Sequence, residues 1–189
     1  MNGRTRMAAR GDRWNEAVPT SATLVGVLFL VGFATMLLPG LRNFGIVPRT
    51  APGLIGVVFA PLLHANAAHL LANAFPLFVL LVLLFADRRY RPWPTLAGIW
   101  IAAGLGTWLI GRGGTVHLGA SSLIYGLATY LVAAGFVLRS WRAAFVAVLV
   151  AVLYGGLFYG VLPQNGPISW EGHLSGALAG VLMAQRRRR

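Results

Sequence analysis

Residues 119–138 read GASSLIYGLATYLVAAGFVL, a stretch that contains no charged side chain. A helix of about 20 apolar residues crosses the hydrocarbon core of a bilayer, which is about 30 Å thick. The first positions, Gly119 to Ser122, are small, and two of them are serines. The stretch therefore predicts a membrane-spanning helix that carries hydroxyl groups at its beginning.

Five further segments have comparable length and hydrophobicity. Together with the first they cover residues 22–38, 69–86, 93–110, 119–138, 143–162 and 167–185. Composition agrees, because 57% of the residues are hydrophobic and only 11% charged, against about 25% charged in an average soluble domain. We expect an all-α membrane protein, a six-transmembrane-helix bundle over residues 21–185. Residues 39–68 are predicted to form a loop at the outer surface, with an additional short span as the alternative.

Positive charge is distributed unevenly along the chain. The net charge is +12, all sixteen basic residues are Arg, and the outer connections hold only Arg42, Arg49 and Arg112. The other thirteen lie in the N-terminal tail, after the second and fourth spans, and at the C-terminus. The positive-inside rule then places a basic N-terminal tail (1–20) and an Arg-rich C-terminal tail (186–189) in the cytoplasm. We therefore expect contact with the lipid bilayer and none with nucleic acid.

Two scarcities exclude several mechanisms. There is no Cys, which excludes disulfides, thiol nucleophiles and Cys-based metal sites. None of the four acids lies midway along an apolar segment; they are Asp12, Glu16, Asp87 and Glu171. Proton-coupled transporters usually carry an intramembrane carboxylate, so that class is disfavoured.

Four polar side chains from three different spans lie at one predicted depth. Counting 1.5 Å per residue from the cytoplasmic charges places His69, Asn73, Ser121 and His173 about 20–27 Å above the inner boundary of the membrane. Polar groups at such a depth need partners. Any one of them could simply join two helices by a hydrogen bond, but four at one level favour a functional site.

Ser121 is the candidate nucleophile and His173 the candidate base. A reactive Ser needs a base and donors that stabilise an oxyanion. Gly176 and Gly180 form a GxxxG face that permits close helix packing, and Gly126 offers a matching small residue on the serine helix. Such packing would bring His173 to Ser121, one turn above Tyr125, whose ring could pack on the imidazole.

The oxyanion donors are predicted to be His69 and Asn73, which share one helical face at i and i+4. Glu171 is two residues before His173 and points away on a helix, so we expect a Ser–His dyad without a third member. His117 is a rival base, ranked behind His173 because it precedes the helix. His64 is interpreted as structural. Zinc bound by the four His is disfavoured because no H-E-x-x-H motif is present, so no metal or cofactor is expected.

These motifs resemble the rhomboid family of intramembrane serine proteases. The matching blocks are His69-x-x-x-Asn73 with His64 before it, Gly119-x-Ser121 followed by Tyr125, and the block His173-x-x-Gly176-x-x-x-Gly180. The order and spacing of the three blocks carry the resemblance over residues 20–185.

The resemblance implies cleavage of transmembrane protein substrates near the outer end of their own helix. By position, Ser121 would be the nucleophile and His173 the base and acid, with His69, Asn73 and the Ser121 N–H at the oxyanion and Tyr125 supporting His173. The sequence departs from the family at Ser122, where Gly is common, and in the first outer loop, which lacks a Trp-Arg pair.

Two alternative functions are carried forward beside the protease. The first is a catalytically inactive rhomboid-like protein that binds or escorts membrane clients, and the second is a small transporter. The Lys-free, Arg- and Ala-rich composition would suit a GC-rich bacterial genome, and hence a bacterial cell membrane.

Overall fold

The computed structural model describes residues 13–164, 166 and 168–186. These residues are mostly helical, and within them the only strand-like pairing is an isolated antiparallel bridge between Ile46 and His117. The prediction of an all-α protein is confirmed. Most of the two predicted basic tails (1–12 and 187–189) lies outside the described residues, as does residue 167, where the sixth span was predicted to begin.

Six helices of 14 to 25 residues make up most of the described chain. They are α1 (Arg13–Leu37), α2 (Ala67–Phe85), α3 (Pro92–Ile110), α4 (Ser121–Val137), α5 (Trp141–Tyr154) and α6 (Trp170–Gln185). Three described segments are long and apolar enough to cross a membrane, namely Trp14–Leu37, Ala67–Phe85 and Arg88–Ile110. α4 and α5 are apolar but shorter. The count of six spans therefore stays a prediction.

Helix boundaries differ most from the predicted spans at two places. α1 begins at Arg13, nine residues before the predicted span and inside the predicted tail. The apolar run alone begins at Ala22, but Ala17 and Ser21 are already buried, so tertiary contacts extend the helix beyond that run. α5 ends at Tyr154, and the chain continues as a 3-10 helix over Gly155–Val161.

The loop after α1 folds onto α3. It contains 3-10 turns at Pro39–Phe44, Pro52–Ile55 and Ala60–Leu62 and a short helix at Gly56–Phe59. Two indole N–H groups of α3 fasten this loop, because Trp100 donates to Val57 O at 3.0 Å and Trp108 donates to Thr50 O at 2.8 Å. The segment that precedes α2 is therefore held in place by the bundle.

α4 and α6 approach so closely that their backbones touch. A Cβ atom on Gly176 would lie 2.0 Å from Ser122 O, and one on Gly180 would lie 2.0 Å from Gly126 O. Only glycine permits this approach, as in the small-residue contacts of membrane helices. Thr129 adds a hydrogen bond across the same seam, donating to Ala177 O at 2.8 Å. This seam fixes the beginning of α4 beside the first turns of α6.

Large apolar side chains cover the outside of the bundle. Leu30 on α1, Phe75 on α2, Phe136 on α4 and Val152 on α5 are each more than 70% exposed. Soluble monomers rarely expose so many large apolar side chains on every side. This distribution is what a bundle surrounded by lipid requires.

Candidate active site

A cavity of about 680 Å³ lies at the end of the bundle where α4 begins. The candidate residues His69, Asn73, Ser121, Tyr125 and His173 all line it. Three helices deliver them: α2 carries the first two, α4 the next two and α6 the last. Side chains that are up to a hundred residues apart in sequence therefore face one space.

Ser121 is the first residue of α4 and is half-buried at the cavity wall. The residue that caps the helix is Ala120, and no side chain forms a hydrogen bond to cap this end. The Ser121 hydroxyl thus does not serve as a helix cap, the ordinary role of a serine at this position. Helices leave their first N–H groups without an intrahelical acceptor, so the backbone N–H of Ser121 is also available.

His173 is held on two sides. Its ring stacks on Tyr125, with ring centroids 4.1 Å apart and an angle of 11° between the planes. Its Nδ1 lies 2.9 Å from the carbonyl oxygen of Gly160. Because a carbonyl can only accept, Nδ1 must carry the proton, which leaves the lone pair of the neutral ring on Nε2. The geometry therefore selects the tautomer that a general base needs.

Gly160 was not anticipated from the sequence. Its carbonyl takes the place that a carboxylate occupies in a catalytic triad, and a backbone carbonyl leaves no signal in the residue type. Glycine is required there, because a Cβ would overlap the hydroxyl group of Tyr125. Glu171, the nearest acid in sequence, is buried and lies against Arg112, with Oε1 3.6 Å from Nε.

His69 and Asn73 begin α2 on the opposite wall. The helix is capped by Asn66, whose Oδ1 accepts from His69 N at 2.8 Å. Asn73 donates from Nδ2 to His69 O at 2.8 Å, so one of its two amide hydrogens is used and the other is free for a ligand. The His69 ring lies against Gly119, where a Cβ would be 2.6 Å from Nε2.

Gly119 also has a backbone conformation that favours glycine, with φ of +111°. Its N–H donates to Ala60 O at 2.8 Å, which ties the start of the serine segment to the outer loop. The glycine thus meets two requirements at once, a left-handed turn and contact with an imidazole.

His64 supports His69 from behind. It is fully buried, and its ring meets that of His69 edge to face with centroids 5.0 Å apart. Nδ1 lies 3.2 Å from Leu62 O. Burial, and to a lesser extent the proximity of His69, lower the pKa of His64 to about 4. The side chain is therefore neutral at neutral pH, in keeping with the structural role predicted for it.

His117, the rival base, has other partners. It lines the cavity, but its Nδ1 lies 2.6 Å from Ser169 Oγ and its Nε2 lies 3.1 Å from Thr115 Oγ1. Both ring nitrogens are thus engaged, whereas Nε2 of His173 has no hydrogen-bond partner among the described residues. Burial lowers the pKa of His117 as well.

Ser121 and His173 form no hydrogen bond with each other in the described structure. Catalytic hydrogen bonds are often long in the absence of substrate and shorten when it binds. The structure brings to one cavity a serine hydroxyl that is not used to cap its helix and an imidazole whose orientation is fixed by two neighbours.

Comparisons with known proteins identify the family. The rhomboid domain model matches residues 51–189. An uncharacterized protein of Mycobacterium tuberculosis (strain H37Rv) is 42% identical over 190 residues, which cover 95% of this chain and 79% of the relative. An uncharacterized protein of Mycobacterium leprae is 41% identical over 184 residues, covering 91% and 72% of the two chains. No solved structure matches significantly. The chain belongs to the rhomboid family.

Proposed function

We propose that this protein is a serine endopeptidase that cleaves transmembrane protein substrates within the bilayer. Members of the rhomboid family are generally intramembrane serine proteases, which supports the reaction class. The observation that carries the proposal is His173, whose Nδ1 is bonded to Gly160 O while the ring faces the cavity that Ser121 also lines.

In the proposed reaction Ser121 Oγ attacks the scissile carbonyl carbon, and its proton passes to Nε2 of His173. The C–N bond then breaks as His173 returns that proton to the leaving amine, giving an acyl-enzyme. Water enters from the cavity, is deprotonated by His173 and releases the acyl group, restoring Ser121. A Ser–His pair can perform this chemistry without a carboxylate when the imidazole is oriented by other means.

The developing oxyanion would be met by three donors. These are the backbone N–H of Ser121, the free amide hydrogen of Asn73 and an N–H of the His69 ring. Removal of one such donor costs roughly 10²–10³ in kcat in a serine protease. The backbone N–H groups in the first turn of α4, which have no acceptor within the helix, add a favourable partial positive charge at the same point.

We further propose that all six helices span the membrane, with both termini in the cytoplasm and the cavity near the outer face of a bacterial cell membrane. The distribution of Arg supports this orientation. Substrates would then be membrane-anchored proteins cut near the outer end of their own helix.

The test compares Ser121→Ala with its neighbour Ser122→Ala in detergent or liposomes. We expect Ser121→Ala to abolish both cleavage of a fluorescent transmembrane substrate and labelling by a fluorophosphonate, with unchanged thermal unfolding. Ser122→Ala should keep both activities. Labelling that persists in Ser121→Ala, or a folded wild type that neither cleaves nor is labelled, would contradict the proposal.

A further inference from the structure

His117 joins the segment that precedes Ser121 to the segment that precedes His173. Its Nδ1 lies 2.6 Å from Ser169 Oγ, the shortest of its contacts. Ser169 is the N-cap of α6 and accepts from Gly172 N at 3.2 Å. The backbone oxygen of the same Ser169 accepts from His173 N at 3.1 Å. One side-chain contact therefore connects the two halves of the dyad outside the helices.

The groups at the two ends of this network, the Arg112 carbonyl and the Gly172 N–H, determine which group donates in each hydrogen bond. Thr115 donates its only hydroxyl proton to Arg112 O at 2.7 Å, so the contact between Thr115 Oγ1 and His117 Nε2 must use a proton from the ring. A neutral ring protonated at Nε2 has its lone pair on Nδ1. Ser169 therefore donates to His117 and accepts from Gly172, and its hydroxyl is used in both directions.

The backbone of His117 is fixed independently of this side chain. Its N–H donates to Ile46 O at 2.8 Å, and its carbonyl accepts from Ile46 N at 2.9 Å. The bridge anchors the serine segment to the outer loop through main-chain atoms alone. Replacement of the imidazole should therefore leave the bridge in place and remove only the connection to α6.

The surroundings keep His117 neutral but contain opposite charges. Burial lowers the pKa of His117, the hydrogen bond with the Arg112 carbonyl and the charge of Glu171 raise it, and the charge of Arg112 lowers it. The two charges also lie against each other, with Arg112 Nε 3.6 Å from Glu171 Oε1. His117 therefore acts as a neutral hydrogen-bonding group between the serine segment and α6.

We propose that His117 is a positioning residue that acts through Ser169: their hydrogen bond sets the separation of Ser121 and His173 at the mouth of the cavity. This inference rests on the proposed protease function. It assigns to His117 a role other than that of a base, since the residue touches neither the nucleophile nor the developing oxyanion. Misplacement of catalytic groups by about 1 Å can cost on the order of a hundredfold in rate.

The test is a double-mutant cycle of His117→Ala and Ser169→Ala, with kcat and KM measured on a transmembrane substrate. We expect each single variant to lower kcat about 10- to 100-fold, with KM changed less than threefold, and the double variant to be no worse than the poorer single. Ser169→Thr keeps the hydroxyl and should restore most of kcat. Effects that multiply in the double variant, or singles with unchanged kcat, would overturn the inference.

Thr50→Ala is the matched control. Thr50 Oγ1 also accepts from an N–H three residues later, Gly53 N at 3.1 Å, but it lies in the outer loop and does not line the cavity. Its removal should leave kcat within about twofold, because it removes a similar side-chain-to-backbone hydrogen bond without touching either half of the dyad.

Amide hydrogen exchange separates failure of this inference from failure of the proposed function. If wild type is folded but inert to substrate and fluorophosphonate, the protease proposal fails, while the tie between the segments is still measured. His117→Ala should then exchange faster than wild type at the amides of Gly172 and His173, and Thr50→Ala should not. Unchanged exchange at both amides would show that the His117–Ser169 hydrogen bond does not hold the start of α6 in place.

Discussion

α5 and α6 are apolar helices of similar length, 14 and 16 residues, yet they pack on α4 in different ways. α6 buries glycines, a histidine and a serine, and its backbone touches that of α4 at Gly176 and Gly180. α5 buries only Ala143, Ala147 and Val150. α6 therefore meets α4 backbone to backbone and brings polar side chains. α5 meets α4 through small apolar side chains, since a Cβ on Gly135 of α4 would lie 2.5 Å from the Cβ of Ala147.

The outer surfaces of the two helices extend this difference. Phe145, Val148 and Val152 of α5 are all more than 60% exposed, as expected of side chains that meet lipid. α6 carries the candidate base on its buried side. The comparison shows that the backbone-to-backbone packing lies where chemistry is proposed, whereas α5 packs on α4 through small apolar side chains.

The largest expected effect comes from adding one methyl group to the α4–α6 seam. Gly176→Ala would put a Cβ 2.0 Å from Ser122 O, and a backbone carbonyl cannot move aside without separating the helices. We expect a loss of roughly 1–3 kcal/mol or more in unfolding free energy and about a hundredfold or more in kcat, measured by thermal unfolding and substrate cleavage.

Gly156→Ala is the matched control for this substitution. Gly156 lies in the 3-10 segment after α5, and a Cβ there would meet no atom within 4 Å. Both activity and stability should stay close to wild type. Equal damage from the two variants would show that the effect of Gly176→Ala does not depend on the close approach of α4 and α6.

Acidification should destabilise the protein through the buried histidine His64 rather than through α5, which contains no histidine. The pKa of His64 is about 4 in the folded protein, against 6.5 for an unperturbed histidine. Between these two pH values the unfolded chain binds more protons than the folded protein. Stability is therefore lost as the pH falls from 6.5 to 4. The full loss is about 3 kcal/mol, at 1.36 kcal/mol per pKa unit.

The check is the midpoint of thermal unfolding as a function of pH. His64→Phe keeps a buried ring that cannot be protonated, so its midpoint should fall less steeply than that of wild type between pH 6.5 and 4. Identical slopes in the two proteins would show that His64 does not titrate in the folded state as inferred.

A smaller effect is expected from the ring that supports the candidate base. Tyr125→Ala removes the stacking partner of His173, and aromatic pairs contribute about 0.5–1.5 kcal/mol. We expect kcat to fall about three- to tenfold by this estimate of the lost stacking energy. Tyr125→Phe keeps the ring, so a loss of equal size in that variant would assign the effect to the hydroxyl.

The smallest effect is expected at the attachment of α5 to α2. Tyr154 donates its hydroxyl to Pro76 O over 3.3 Å, a long hydrogen bond. Tyr154→Phe should reduce the unfolding free energy by less than about 1 kcal/mol and leave kcat unchanged. A marked drop in kcat would mean that α5 is coupled to the site more tightly than its packing suggests.

Much of the architecture could be predicted because hydrophobic runs and helical spacing are local properties. The regular spacing of His69 and Asn73, and of Gly176 and Gly180, places each pair on one face of its helix. The catalytic roles of Ser121 and His173 stay predictions, but their meeting at one cavity follows from the glycine seam. The start of α1 was missed because burial of Ala17 and Ser21 depends on neighbouring helices.

The contacts around the two candidate catalytic residues could not be predicted. Gly160 acts through its carbonyl, and the position of a carbonyl in a 3-10 segment depends on how that segment packs. The partner of His117 is Ser169, 52 residues later, and neither residue belongs to a recognisable motif. Hydrogen bonds between loops depend on the relative placement of helices, which no local pattern encodes.

By itself the sequence determined that the protein is helical and apolar and that its Arg residues are asymmetrically distributed, and it predicted that Ser, Asn and His share one depth. These follow from residue type and helical periodicity, which act over one or two turns. Only the tertiary structure decided that Nδ1 of His173 meets Gly160 O, that His117 is engaged by Ser169, and that α6 meets α4 backbone to backbone. The reason is physical: backbone contact and imidazole hydrogen bonding depend on distances of a few tenths of an ångström, and those distances exist only once the helices have packed.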